Sequence, residues 1–130
     1  MNGHEILTNG PIRMDLASKQ VFVGDEPLKL SPKEFALLKC FMQAPGRLLS
    51  ALYILEEVWG PAHTEDLQYI RVFLSQIRTK LSMWQGLGGC IQVKSGFGYQ
   101  MAALTDEIPP PKVAWPSGVL APGAPRPRSD

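Results

Sequence analysis

Hydrophobic and polar positions change period twice along this chain. Between residues 4 and 30 apolar side chains fall at alternate positions: Ile12, Met14 and Leu16 alternate with Arg13 and Asp15, and Leu28 and Leu30 flank Lys29. A period of two is that of a strand with one buried face. Glu5–Thr8 and Gln20–Val23 add two more apolar stretches, and Asn9-Gly10 and Gly24-Asp25 are turn pairs. Four short strands with turns between them predict an antiparallel meander, apolar on one side. A sheet that small needs another element over its apolar face.

The period then lengthens. Ser31-Pro32-Lys33-Glu34 is a capping box with proline at the first helical position, and Phe35, Leu38, Phe41 and Met42 form a stripe that stops at Ala44-Pro45-Gly46. Ser50 caps a second helix with Ile54, Leu55 and Val58 inward, ended by Trp59-Gly60-Pro61. The longest periodic stretch is Thr64–Leu81, where Leu67, Ile70, Leu74, Ile77 and Leu81 share one stripe. At about 100° per residue, the opposite side shows Gln68, Val72, Ser75, Gln76 and Thr79. Arg71 and Arg78 lie on one flank, Tyr69 and Lys80 on the other. Three helices joined by short links make a helix-turn-helix-like bundle.

Gly86, Gly88 and Gly89 then lead into strands Cys90–Val93 and Tyr99–Ala102 around Lys94-Ser95-Gly96-Phe97-Gly98. This hairpin is placed as a wing, or serves only to complete the core. From Asp106 the period vanishes, and seven of the twelve prolines fall in the last 22 residues. Residues 1–105 are therefore expected to form one domain and 106–130 a Pro-rich disordered tail. Trp115 and Val119 are the tail's large anchors, either for a partner or in a solvated terminus.

Composition changes this picture in three places. The net charge of +1 is uninformative, but its distribution is not. Met1–Asp66 carries six Lys/Arg and nine Asp/Glu, whereas Leu67–Thr105 carries Arg71, Arg78, Lys80 and Lys94 and no acid. The half with the longest helix and the hairpin is the half suited to face a polyanion. Cys40 and Cys90 are too few for a disulfide framework, which favours buried thiols in a reducing compartment over a pair. No apolar run reaches membrane-spanning length, and MNGHEILTNG lacks the regions of a signal peptide, so a reducing cytosol is expected and no membrane.

The polar face of the long helix offers amides, hydroxyls and one methyl-bearing side chain, framed by cations. Base edges are read with such groups and phosphates are gripped by such cations. The plain alternative is an ordinary amphipathic surface helix. Catalytic chemistry is not in view. His4 and His63 stand apart from any metal-spaced cluster, and Glu65-Asp66 read as helix N-terminal charges. Gly86-Leu87-Gly88-Gly89 lacks the Lys-Ser/Thr of a phosphate loop, and Ser50, Ser75 and Ser95 lack a histidine partner. No enzyme activity, metal or cofactor is expected.

The order strands, three helices, hairpin resembles the winged-helix effector domain of OmpR/PhoB-type response regulators. The matching residues are LSPKEFALLKCF (Leu30–Phe41), PGRLLS (Pro45–Ser50), VWG (Val58–Gly60), IRVFLSQIRTKL (Ile70–Leu81) and GFGY (Gly96–Tyr99), covering roughly residues 5–102. Within the family, the VWGP start and the YIR-V segment are closest to the potassium-responsive KdpE subgroup. The resemblance implies an α+β winged helix-turn-helix: an N-terminal four-stranded antiparallel sheet, a three-helix bundle and a C-terminal β-hairpin wing. It implies that the third helix enters the major groove of double-stranded DNA and the hairpin meets the minor groove or backbone.

Carried over position by position, the resemblance marks Gln68, Tyr69, Arg71, Val72, Ser75, Gln76 and Arg78 as DNA contacts. Thr79, Lys80 and Lys94 join them on charge and position. Trp59 and Tyr99 match aromatics near the DNA backbone, and Ser95 falls where many members place a wing arginine. Ser75 and Gln76 also stand where basic residues are frequent, which weakens the phosphate grip and shifts weight to tandem binding as a dimer or to a partner protein. Ala51, Leu52 and Tyr53 occupy usually polar positions. Either they form a contact for RNA polymerase or a second copy, or they pack on the neighbouring sheet. The family's usual receiver domain is not represented before Glu5, so the chain is either an excised effector domain or a regulator without a receiver, and Met1 favours a complete frame. Two functions follow: a sequence-specific DNA-binding transcriptional regulator, or a winged-helix module that docks on RNA polymerase or another regulator.

Overall fold

Alternation at residues 6–28 does build a four-stranded antiparallel meander. Its strands are β1 (Ile6–Asn9), β2 (Ile12–Asp15), β3 (Gln20–Val23) and β4 (Glu26–Leu28), paired in sequence order. Ile12, Met14, Val21, Val23 and Leu28 all turn to one face and are buried. The computed structural model describes residues 5–63, 67–84 and 86–105. The expectations for Thr64–Asp66 and for the tail fall outside the described residues.

The first turn is displaced from its expected place. Asn9 belongs to β1, and the chain reverses at Gly10-Pro11. The Asn9 side chain is buried because it is fully used: its Nδ2 donates to the Ala102 carbonyl at 2.8 Å and its Oδ1 accepts from the Leu104 N–H at 2.8 Å. A distant tertiary partner thus overrides the local turn signal of Asn-Gly.

Helix α1 (Pro32–Met42) begins with the expected capping box. Ser31 Oγ accepts from the Glu34 N–H, and the Glu34 carboxylate accepts from the Ser31 N–H. Phe35, Leu38, Phe41 and Met42 are buried as predicted, and so are Leu37 and Cys40, because α1 is central and covered on more than one side. Strand β5 (Leu48–Leu49) precedes α2 (Ala51–Val58), whose Ser50 cap accepts from the Tyr53 N–H. A 3-10 turn at Pro61–His63 leads toward α3 (Leu67–Leu81). Strands β6 (Ile91–Lys94) and β7 (Gly98–Met101) close the fold as a hairpin, with β7 between β5 and β6.

Leu74, Ile77 and Leu81 of α3 share one core with α1, α2 and the inward residues Ile91, Tyr99 and Met101 of the hairpin. Leu67 departs from the predicted stripe. It is 46% exposed, because the core beneath α3 starts one turn later, at Ile70. Cys40 and Cys90 are free, buried thiols. Burial pushes both up to about 11, so both stay protonated and inert near neutral pH.

Candidate nucleic-acid interface

The α3 side chains turned away from the core are Gln68, Arg71, Val72, Ser75, Gln76 and Thr79, all exposed. Val72 is 52% exposed, so the fold does not require its apolar side chain. The Thr79 hydroxyl donates to the Ser75 carbonyl at 3.0 Å, which orients its methyl and its lone pairs on that face. The polar face expected from the sequence is therefore present, continuous and open.

Its two flanks are not what the sequence suggested. Arg78 Nε and Nη2 both donate to the carbonyl of Ile91, at 3.1 and 2.7 Å. Ala102 N–H donates to Cys90 O, so Ile91 is a non-hydrogen-bonded position whose carbonyl points off the free edge of β6. Arg78 covers that edge and ties the hairpin to α3. Two of its five donors are thus spent inside the protein, which ties part of the guanidinium to the fold as well as to any base or phosphate contact. Arg78→Ala is expected to cost about 1.5–3 kcal/mol of stability, since both hydrogen bonds from the charged guanidinium to Ile91 are lost. Urea unfolding tests this. Unchanged stability with weakened DNA binding would return Arg78 to the interface.

Lys80 is likewise engaged within the protein. Its Nζ sits 2.6 Å from Oε1 of Glu34, which is buried, and 2.9 Å from the Lys29 carbonyl. Burial pushes the Glu34 carboxyl up. The Lys80 hydrogen bond, the Ser31 N–H and the Lys80 charge outweigh this and leave it below its ordinary value of 4.5. Lys80 thus neutralises the capping carboxylate of α1, with its side chain still partly exposed.

The aromatic candidates divide. Trp59 ends α2 with its half-buried ring 5.4 Å from Tyr69 and 5.5 Å from Phe73. Lys33 lies 6.0 Å from the Trp59 ring and donates to the Val58 carbonyl at 2.8 Å. This cluster packs the end of α2 against α3 through Tyr69 and Phe73. Tyr99 is only 7% exposed, so its expected contact near the DNA backbone is corrected. It alternates inward with Met101 on β7 and is a core residue.

The hairpin tip carries Lys94, Ser95 and Phe97. Phe97 N–H donates to the Lys94 carbonyl at 2.8 Å, closing a three-residue loop. Phe97 is 73% exposed and had no role in the sequence reading. Its signal was a large apolar residue between two glycines in a turn. Leu52 and Tyr53 are 53% and 41% exposed, so packing on the neighbouring sheet does not account for them. They lie on the outward side of α2, opposite the buried Ile54, Leu55 and Val58.

Residues 25–101 match the family described as "Transcriptional regulatory protein, C terminal". The chain belongs to this family. The transcriptional regulatory protein KdpE of Mycobacterium tuberculosis is 32% identical over 98 residues, spanning 75% of this chain and 43% of the relative. The dual master transcriptional regulator RpaA of a Synechocystis strain is 34% identical over 103 residues, again 43% of its length. The chain thus spans less than half the length of these curated relatives. Its fold is also that of the Klebsiella pneumoniae RstA DNA-binding domain, solved in complex with the RstA box. The TM-score is 0.68 at 24% identity, covering 78% of this chain and all of that one. The expected winged-helix architecture and the OmpR/PhoB-type resemblance both hold.

Proposed function

We propose that this chain is a sequence-specific double-stranded DNA-binding domain of a transcriptional regulator. α3 enters the major groove and the hairpin over residues 90–102 lies beside it as the wing. The observation that carries this reading is the exposed face of α3, whose Gln68, Arg71, Val72, Ser75, Gln76 and Thr79 serve no packing need. Arg71 donates to a guanine edge or a phosphate, Gln68 and Gln76 pair with adenine, and Val72 meets a thymine methyl. Lys94 and Ser95 approach the backbone from the wing. The absence of any acid from Leu67 to Thr105 means that α3 and the hairpin themselves bring no negative side chain toward phosphates.

Residues 1–105 are the binding unit, with 106–130 a Pro-rich extension, in a bacterial cytoplasm at the nucleoid. Selection of sites from random duplex at low and moderate salt tests the reading. A recurring half-site in tandem would support binding by two copies, whereas no retention even at low salt would remove the reading. Arg71→Ala is expected to cost about 1–3 kcal/mol on the selected site. Equal loss on a scrambled site would reassign Arg71 from base to phosphate.

A second surface is favoured by one observation, the exposure of Leu52 and Tyr53 on α2. We propose it as a contact for RNA polymerase or a second copy, used alongside DNA binding. A Leu52→Ser/Tyr53→Ser variant that keeps DNA affinity and transcription output alike would dismiss it.

A further inference from the structure

Phe97 is more exposed than any other large hydrophobic residue among the described ones. The fold makes no use of it. It nevertheless has a fixed place. The loop is closed by the Phe97 N–H on Lys94, and Gly96 takes φ +82°. Gly98 takes φ +143° with its backbone against the Leu49 carbonyl, so the base of the loop is held to β5. On the other side Arg78 fastens β6 to α3. The hairpin tip is thus set in position relative to the polar face of α3, and the side chain it holds out is an aromatic ring.

An apolar ring has no hydrogen bond to give a phosphate and gains only by leaving water. Beside a duplex whose major groove holds α3, the dry surface within reach of a wing is the minor groove, with its sugar walls and base-pair edges. Lys94 at the same tip, in a stretch free of acids, brings the ring toward phosphates rather than away from them. We propose that Phe97 is a wedge driven into the minor groove at a flexible pyrimidine–purine step, partly unstacking it. The site is then read for deformability as well as for hydrogen bonds. This rests on the DNA-binding reading and adds to it a second specificity determinant, addressed to DNA shape.

The test uses the full chain, a duplex it selects, and 2-aminopurine placed in turn at each step flanking the half-site. The wild-type chain is expected to raise fluorescence at one TA or CA step. Phe97→Ala is expected to bind roughly tenfold more weakly with no fluorescence rise, as for loss of one stacked aromatic. It is expected to keep the same half-site and the same melting temperature. Its salt dependence is expected to be unchanged because no charge is removed, whereas Lys94→Gln lowers the salt slope by about one phosphate contact. Affinity within twofold of wild type for Phe97→Ala overturns the wedge and leaves the DNA-binding reading standing. So does wild-type binding with no fluorescence change at any step. A wild-type chain that binds no duplex at low salt overturns both.

Discussion

Gly98→Ala is expected to destabilise the domain by about 3 kcal/mol or more, the largest single effect predicted for it. Two causes add. A φ of +143° lies where residues with a side chain are strained. A Cβ at this position would also come within 2.1 Å of the Leu49 carbonyl oxygen and 3.0 Å of the Ser50 Cα. Both neighbours are backbone, in the strand that pairs with β7 and at the cap of α2, so neither yields without loosening the other. Gly96→Ala separates the two causes. Its φ is +82°, but no atom lies within 4 Å of the would-be Cβ. That variant is expected to cost only about 1 kcal/mol. Denaturant unfolding of the two variants measures the difference. Equal costs would mean that only backbone strain matters and that β5 is loosely held.

Glu34→Ala is expected to cost about 2–3 kcal/mol near neutral pH. The mutation removes half of the capping box and takes the carboxylate from Lys80, whose Nζ keeps its hydrogen bond to the Lys29 carbonyl. A fully buried broken pair would cost more, but the Lys80 side chain is 39% exposed and water takes up part of its charge. The pH dependence follows from the direction of the shift. The folded-state carboxyl titrates below its ordinary 4.5, so its contribution is fully present above that value and is lost as pH falls through the folded pKa. The stability gap between wild type and Glu34→Gln is therefore expected to narrow on acidification below 4.5. Unfolding curves taken near neutral pH and well below 4.5 check this. A gap that stays constant would mean that the amide replaces the carboxylate as a neutral acceptor and that the Lys80 charge adds nothing.

What could be read in the chain and what could not have different physical origins. The alternation at Ile12 and Met14 and the stripe Ile70, Leu74, Ile77, Leu81 are periodic signals, and the strands and α3 follow from them, although Leu16 falls in the turn after β2. Ser31 and Ser50 are local chemistry and cap the helices they were expected to cap. The Gln68, Arg71, Val72, Ser75 face was legible as the complement of a buried stripe. The misses concern pairings between distant positions, which leave no period. β5 is two residues long and exists only because β7 pairs with it. The partners of Arg78 and Lys80 lie 13 and 46 residues away, so both looked like surface cations. Tyr99 was misplaced although its inward alternation with Met101 was available; the family likeness of GFGY outweighed it. Phe97 was passed over because the hairpin tip was read through Lys94 and Ser95 alone.

The Asn9 side chain has a mechanical consequence. It grips the chain on both sides of Ala103, through the Ala102 carbonyl and the Leu104 N–H, and Gly10 lies beneath Leu104 and Thr105. The first strand of the domain and the segment leaving its last strand are buckled together at one point. A pull applied where the chain exits at Thr105 therefore does not peel β7 directly. It loads β1 first, and through β1 the whole meander, so the two sheets resist tension as one piece until that single amide lets go.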